Sequence, residues 1–141
     1  MNPRESNPER LNRSFRGDKA IVQAVEAARS FASSRRLIDE DRARLCIIVE
    51  ELIANLYDHG GLGGGDEVEL TLAAEQGAVR VTIVDPGKPF DPRNASETVS
   101  AEPGAGAGLA LVRAWTEVLR YESTAAGNRL ELLVPLRTRP E

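Results

Sequence analysis

Apolar residues recur at helical spacing in the first half of the chain and at every second position in two later stretches. In "DKAIVQAVEAARSFASSR", Ile21, Val25, Ala28 and Phe31 or Ala32 share one side. The spacing predicts an amphipathic helix from Asp18 to about Arg35, with Asp18 as a candidate N-cap. "SSRRLID" interrupts the pattern, and Asp39 offers a second cap for a longer helix reaching His59. Leu45, Ile48, Val49, Leu52 and Leu56 form its apolar stripe, and Gly60 stands where a left-handed C-terminal residue is wanted.

The glycine-rich "GGLGGGD" is a turn, after which Val68, Leu70, Leu72 and Ala74 alternate with polar neighbours. "EQG" predicts a hairpin into a second strand whose inward set is Val79, Val81 and Ile83. From Pro86 to Gly108 no period is sustained, which predicts a long functional loop. "LALVRAWTEV" resumes as a helix and "VLRYES" as a strand; after the turn "AAGN", Leu130, Leu132, Val134 and Leu136 alternate in a last strand, where Pro135 marks an edge or an end. This order predicts an α+β fold, a two-layer sandwich in which helices cover one face of a mixed, mostly antiparallel sheet. The polar first ten residues hold two prolines and read as a loose tail; residues 11–138 read as one domain.

Composition narrows the chemistry. With 141 residues one core can be enclosed, but not two. The formal net charge of -4 argues against a nonspecific grip on nucleic acid, so any phosphate must be held locally. One cysteine and one histidine exclude an internal disulfide and a four-ligand zinc site of Cys and His. No apolar run approaches the roughly 20 residues that span a bilayer, and the N-terminus has no hydrophobic signal core, so a cytoplasmic protein without membrane contact is expected.

Three clusters remain after packing is accounted for. At about 100° per residue, Glu51, Asn55 and His59 form a row along the flank of the long helix, whereas Glu50 falls on the opposite flank. The row is compatible with a solvated glutamate, a loop-bonded asparagine and a histidine favoured by the helix dipole. Read alone it favours that plainer account; the sharper one uses a carboxylate to accept a proton and a carboxamide oxygen for Mg²⁺. Asp85 shares parity with Val79, Val81 and Ile83, so its carboxylate extends from the inward face and needs hydrogen-bond donors, from a turn or from a ligand's amine. In "GAGAGLALVR" alternating glycines precede a helix, either as a flexible loop or as an anion cradle.

Taken in order, Glu51-x-x-x-Asn55, Asp85-x-Gly87 and Gly106-x-Gly108 resemble the N, G1 and G2 boxes of the Bergerat-type ATPases. Within that superfamily "EELIANLYDHGG", "DPGKPFDP", "GLALVRAWTEVLRYES" and "GNRLELLVPL" resemble the small bacterial anti-sigma factor serine/threonine kinases, over about residues 12 to 136. The resemblance implies ATP and Mg²⁺ as cofactors, with Asn55 as the Mg²⁺ ligand and Glu51 as the general base. It also implies that Asp85 accepts the adenine amino group, that Gly87 makes room for the base, and that Gly104, Gly106, Gly108 and the adjoining Leu109 hold phosphates under a lid at 91–103. His59 matches a family position as well, and its plainer role is packing at a helix end. The implied function is a protein-serine kinase that phosphorylates an anti-sigma factor antagonist of the STAS type, sequesters a sigma factor and forms a homodimer. The chain departs from the family at Glu102 and Pro103, where many of these kinases carry a basic residue, and at Thr116, where an aspartate often stands. The missing basic residue favours the alternative, a degenerate nucleotide-binding interaction module without catalysis, whereas the retained Glu51 favours the enzyme. A histidine kinase fragment fits less well, because those enzymes usually have asparagine at the position of Glu51.

Overall fold

A computed structural model describes residues 9–93 and 107–137. The order is β1 (Arg10–Arg16), a single 3-10 turn, α1 (Ala20–Ser34), α2 (Asp39–Asp58), β2 (Glu67–Glu75), β3 (Ala78–Asp85), α3 (Ala107–Trp115), β4 (Glu117–Thr124) and β5 (Gly127–Pro135). The five strands form one sheet in the order β1-β2-β3-β5-β4. Every neighbouring pair is antiparallel, so the sheet is not mixed.

Alternation decides which face of the sheet is covered. Val68, Leu70, Leu72, Val79, Val81 and Ile83 are buried, as are Leu130, Leu132 and Val134 of β5. They meet Leu45, Ile48, Val49, Leu52 and Leu56 from α2, and Ala24, Ala28 and Phe31 from α1, in one core. The alanines let α1 lie close, and the scarce aromatic volume is spent on Phe15 and Phe31. On the other face Arg80 bridges Glu75 and Glu131. Pro135 is the last residue of a central strand, so of the two expectations it marks an end.

Several local expectations are corrected. β1 begins at Arg10, inside the expected tail, and pairs along its length with β2. Asp18 lies in the 3-10 turn and α1 starts at Ala20, with Lys19 as its N-cap. Ile38, not Asp39, is the N-cap of α2, and no side chain caps it. Instead Asp39, Glu40 and Asp41 bring negative charge to the first turn, where the helix dipole favours it. The left-handed glycine after α2 is Gly61, at φ +70°, one residue beyond the expected Gly60.

A register shift in β4 between Val118 and Arg120 has a larger effect. In a regular strand Val118 and Tyr121 would face opposite ways; the bulge puts both against the core side. Tyr121 is thereby delivered to the end of the sheet where β3 finishes at Asp85.

Candidate active site

The C-terminal half of α2, the end of β3, the end of β4 and the start of α3 meet at one pole of the molecule. Asn55 is buried there, Glu51 is half-buried one turn earlier, and Glu50 points to solvent, as the helical phase requires. The Nδ2 of Asn55 is buried and has no hydrogen-bond acceptor among the described residues. An orphaned buried amide is costly, and such groups concentrate where a ligand completes the bonding. Rotating the carboxamide by half a turn presents Oδ1 to the same space.

Asp85 is 5% exposed, and its inward orientation is that expected from strand parity. Its Oδ1 accepts from the Gly87 N–H at 2.8 Å and from Asn128 Nδ2 at 3.1 Å. Both bonds fall on one oxygen, and Oδ2 has no donor among the described residues. Gly87 is needed for close approach: a Cβ there would lie 2.5 Å from the Gly60 carbonyl oxygen and 2.9 Å from Leu62 Cδ2. The Lys88 N–H donates to that same Gly60 carbonyl at 2.8 Å, tying the loop after β3 to the end of α2.

Asn128 did not stand out in the sequence, yet it organises this loop. It lies directly opposite Asp85 in the β3–β5 register and is 3% exposed. Besides Asp85, its Nδ2 reaches the carbonyls of Gly87 at 2.8 Å and Lys88 at 3.3 Å, while its Oδ1 accepts from Ser123 Oγ at 2.7 Å. A signal was present: Asn128 shares parity with Leu130, Leu132 and Val134, which puts an amide on the core face.

His59 caps the C-terminus of α2 and stacks on Phe90, with ring centroids 5.3 Å apart. The Phe90 N–H donates to the hydroxyl of Tyr121 at 2.8 Å. Burial, with Asp85 and Asp91 nearby, raises the Tyr121 phenol above its ordinary value. Asn55, Asp85, Phe90, Pro92 and Tyr121 line one small cavity of about 20 Å³.

Glu51 lies outside that cavity, against the first turn of α3. Its carboxylate occupies the space that a side chain at residue 108 would need, and its Cγ is 3.0 Å from where such a Cβ would stand. Burial raises the Glu51 carboxyl above the ordinary range, helped by the negative charges of Glu50 and Asp58. Leu109, next to Gly108, is buried. The hydroxyl of Thr116 turns back on its own helix and donates to the Val112 carbonyl at 2.5 Å. Gly104, Gly106 and residues 94–103 of the expected lid lie outside the described residues. Thus Glu51, Asn55, Asp85, Gly87, Gly108 and Leu109 come together at one pole, and His59 sits beside them as a packing residue.

Among solved structures, the chain is similar to the Erythrobacter litoralis EL346 blue-light activated histidine kinase, with 20% identity, a TM-score of 0.51, and coverage of 71% of this chain and 32% of that one. The histidine kinase domain from the same protein matches with 20% identity and a TM-score of 0.50, covering 71% of this chain and 50% of that one. A third match, Acinetobacter baumannii histidine kinase AdeS, has 18% identity and a TM-score of 0.48, over 91% of this chain and 68% of that one. The chain therefore spans about a third of the first and half of the second, and at this identity the likeness is one of fold. No curated protein matches the chain. The family model for the histidine kinase-like ATPase domain matches residues 17–134, and the chain belongs to that family of ATP-binding domains.

Proposed function

We propose that this domain is an ATP-Mg²⁺-dependent protein-serine kinase that phosphorylates a STAS-type anti-sigma factor antagonist and, by switching partners, restrains a sigma factor. The observation that supports it best is the convergence of an orphaned Asn55 amide and a half-satisfied Asp85 on one cavity, with the Glu51 carboxylate one helical turn away. Asp85 Oδ2 suits an exocyclic amine, and Gly87, rather than opening space for the base, lets the loop that carries Asp85 close on the Gly60 carbonyl and Leu62. The cavity holds about one water, so a purine requires the Phe90 to Pro92 segment to move aside.

The residues fit Mg²⁺ in the manner of phosphate-bound ions. Among the described residues no group of three or more His, Cys, Asp or Glu could enclose a metal, so the protein's share would be the Asn55 carboxamide, with phosphate oxygens and water completing the shell. When bound, the ion neutralises phosphate charge. Glu51 acts on the nucleophile instead, since its raised carboxyl pKa suits accepting a proton from a serine hydroxyl near neutral pH. Through its contact with α3 that base stands beside a helix N-terminus suited to phosphate.

No helix among the described residues is long and apolar enough to cross a membrane. We assign the kinase to the cytoplasm, as a homodimer.

The test is incubation of the domain with γ-labelled ATP, Mg²⁺ and a STAS-type antagonist. Label on an antagonist serine, lost in Glu51→Ala while nucleotide binding persists, is the expected result. Binding without transfer in the wild type would favour the degenerate regulatory module, a reading that the departures at Glu102, Pro103 and Thr116 support. Unchanged nucleotide affinity in Asn55→Ala would overturn both.

A further inference from the structure

A second cavity lies at the opposite pole, where the α1–α2 connection meets the β2–β3 hairpin, and has a volume of about 720 Å³. That is within the range of small-molecule sites, about 300–1,000 Å³. It is separated from the nucleotide pole by most of α2: fourteen residues from Asp41 to Asn55 correspond to about 21 Å of helix. Leu37, Ile38, Ala74 and Leu136 give it an apolar floor, and Arg35 and Arg36 stand at its rim.

The charges around the groove are unevenly paired. Asp39 accepts from Arg42, Glu40 pairs with Arg44 and Arg137, and Glu75 pairs with Arg80. The buried Asp41 accepts from the Arg137 backbone N–H at 2.9 Å. Neither Arg35 nor Arg36 has a carboxylate partner among the described residues, and both are exposed. The groove thus presents two uncommitted guanidinium groups beside apolar surface.

Arg36 has a second peculiarity. It sits at φ +57°, the only non-glycine residue in the left-handed region among those described. Around it α1 ends with the Leu37 N–H donating to the Ala32 carbonyl and the Arg36 N–H to the Ser33 carbonyl, a helix-terminating arrangement that strongly favours glycine at this position. The chain keeps a long cationic side chain where the backbone is better served by none, a local strain of the kind retained at functional sites.

We propose that this groove binds a small amphiphilic anion, an aryl or alkyl carboxylate or sulfonate, with its apolar body on Leu37, Ile38, Ala74 and Leu136 and its acidic head between Arg35 and Arg36. The two requirements act together: the floor excludes strongly hydrated inorganic anions, and the guanidinium pair rejects neutral and cationic amphiphiles.

The probe is 8-anilinonaphthalene-1-sulfonate, titrated into the whole chain and followed by fluorescence, with dodecanoate as competitor. The expected result is saturable binding at one site, displaced by dodecanoate, indifferent to ATP and unchanged in Asn55→Ala. Arg36→Gly relieves the left-handed strain, so it should melt at a higher temperature while binding the probe at least fivefold more weakly. A fold more stable than wild type rules out unfolding as the cause of the weaker binding. Arg35→Glu combined with Arg36→Glu should abolish saturation. Displacement by ATP, no saturable binding, or an unchanged dissociation constant in Arg36→Gly and in the double variant would overturn the proposal.

Discussion

The carboxylate of Glu51 fills the position that a side chain at Gly108 would take, so α2 and α3 meet through an acid on one helix and a missing side chain on the other. Gly108→Ala should therefore force the carboxylate out or push α3 away, costing about 1–3 kcal/mol as overpacking does. The distinguishing measurement is a double-mutant cycle by urea denaturation. Removing the carboxylate as well, in Glu51→Ala/Gly108→Ala, should recover most of the loss, because the two residues contend for one volume. Additive losses would mean that the glycine serves the backbone of α3 and not this contact.

Asn128 is the next test of the site's construction. Its amide serves Asp85 and two loop carbonyls at once, while its oxygen takes the Ser123 hydroxyl. Asn128→Ala leaves these buried groups short of partners and should cost about 1–3 kcal/mol. Asn128→Asp should be worse than alanine above about pH 5, where an ordinary aspartate is ionised, because it sets a second carboxylate against Asp85 with no intervening donor. Nucleotide affinity should fall in both variants, measured by calorimetry at a temperature where each is folded. An Asn128→Asp variant as stable as wild type would refute this account of the loop.

Asn55 should behave in the opposite way. Its Nδ2 has no partner among the described residues, so truncation breaks no hydrogen bond of that group there, and alanine is the better helix former. Asn55→Ala is expected to keep its stability within about 1 kcal/mol of wild type, or slightly above it, while losing Mg²⁺-dependent ATP binding. Thermal melting with and without ATP-Mg²⁺ reads both effects in one experiment. Wild type should be stabilised by ligand and the variant should not.

What the sequence disclosed divides by physical cause. Alternation from Val79 to Ile83 correctly turned Asp85 inward, and helical phase separated Glu51 and Asn55 from Glu50. Both inferences need only a period. β1 was missed because "RLNRSFR" is an edge strand with Leu11 and Phe15 four apart, a spacing that satisfies a helix as well as a strand. Tyr121 could not have been placed, because the bulge that turns it inward is a register event between two strands and leaves no mark on the spacing within one. Asn128 was legible from the parity of β5, but its importance rests on being opposite Asp85, which only the pairing of β3 with β5 reveals.

The raised carboxyl of Glu51 gives a pH dependence with a definite sign. Its main cause is burial, followed by repulsion from Glu50 and Asp58, so the folded state holds this proton more tightly than the unfolded chain. Through the window that opens at the ordinary glutamate value of 4.5 and closes at the raised folded value, the folded state binds more protons, and this residue's contribution to stability falls as pH rises. Above the window the full penalty of a partly buried charge remains; below it the penalty is absent. Glu51→Gln removes the titration. It should match wild type near about pH 4 and become the more stable of the two as pH climbs towards neutrality, measured as the difference in melting temperature across that range. For the proposed kinase, transfer to the antagonist should lose activity on the acid side with an inflection above that of an ordinary glutamate, because a protonated Glu51 cannot take the serine proton. A variant whose advantage does not grow with pH would show that the carboxylate is already well solvated in its place beside α3.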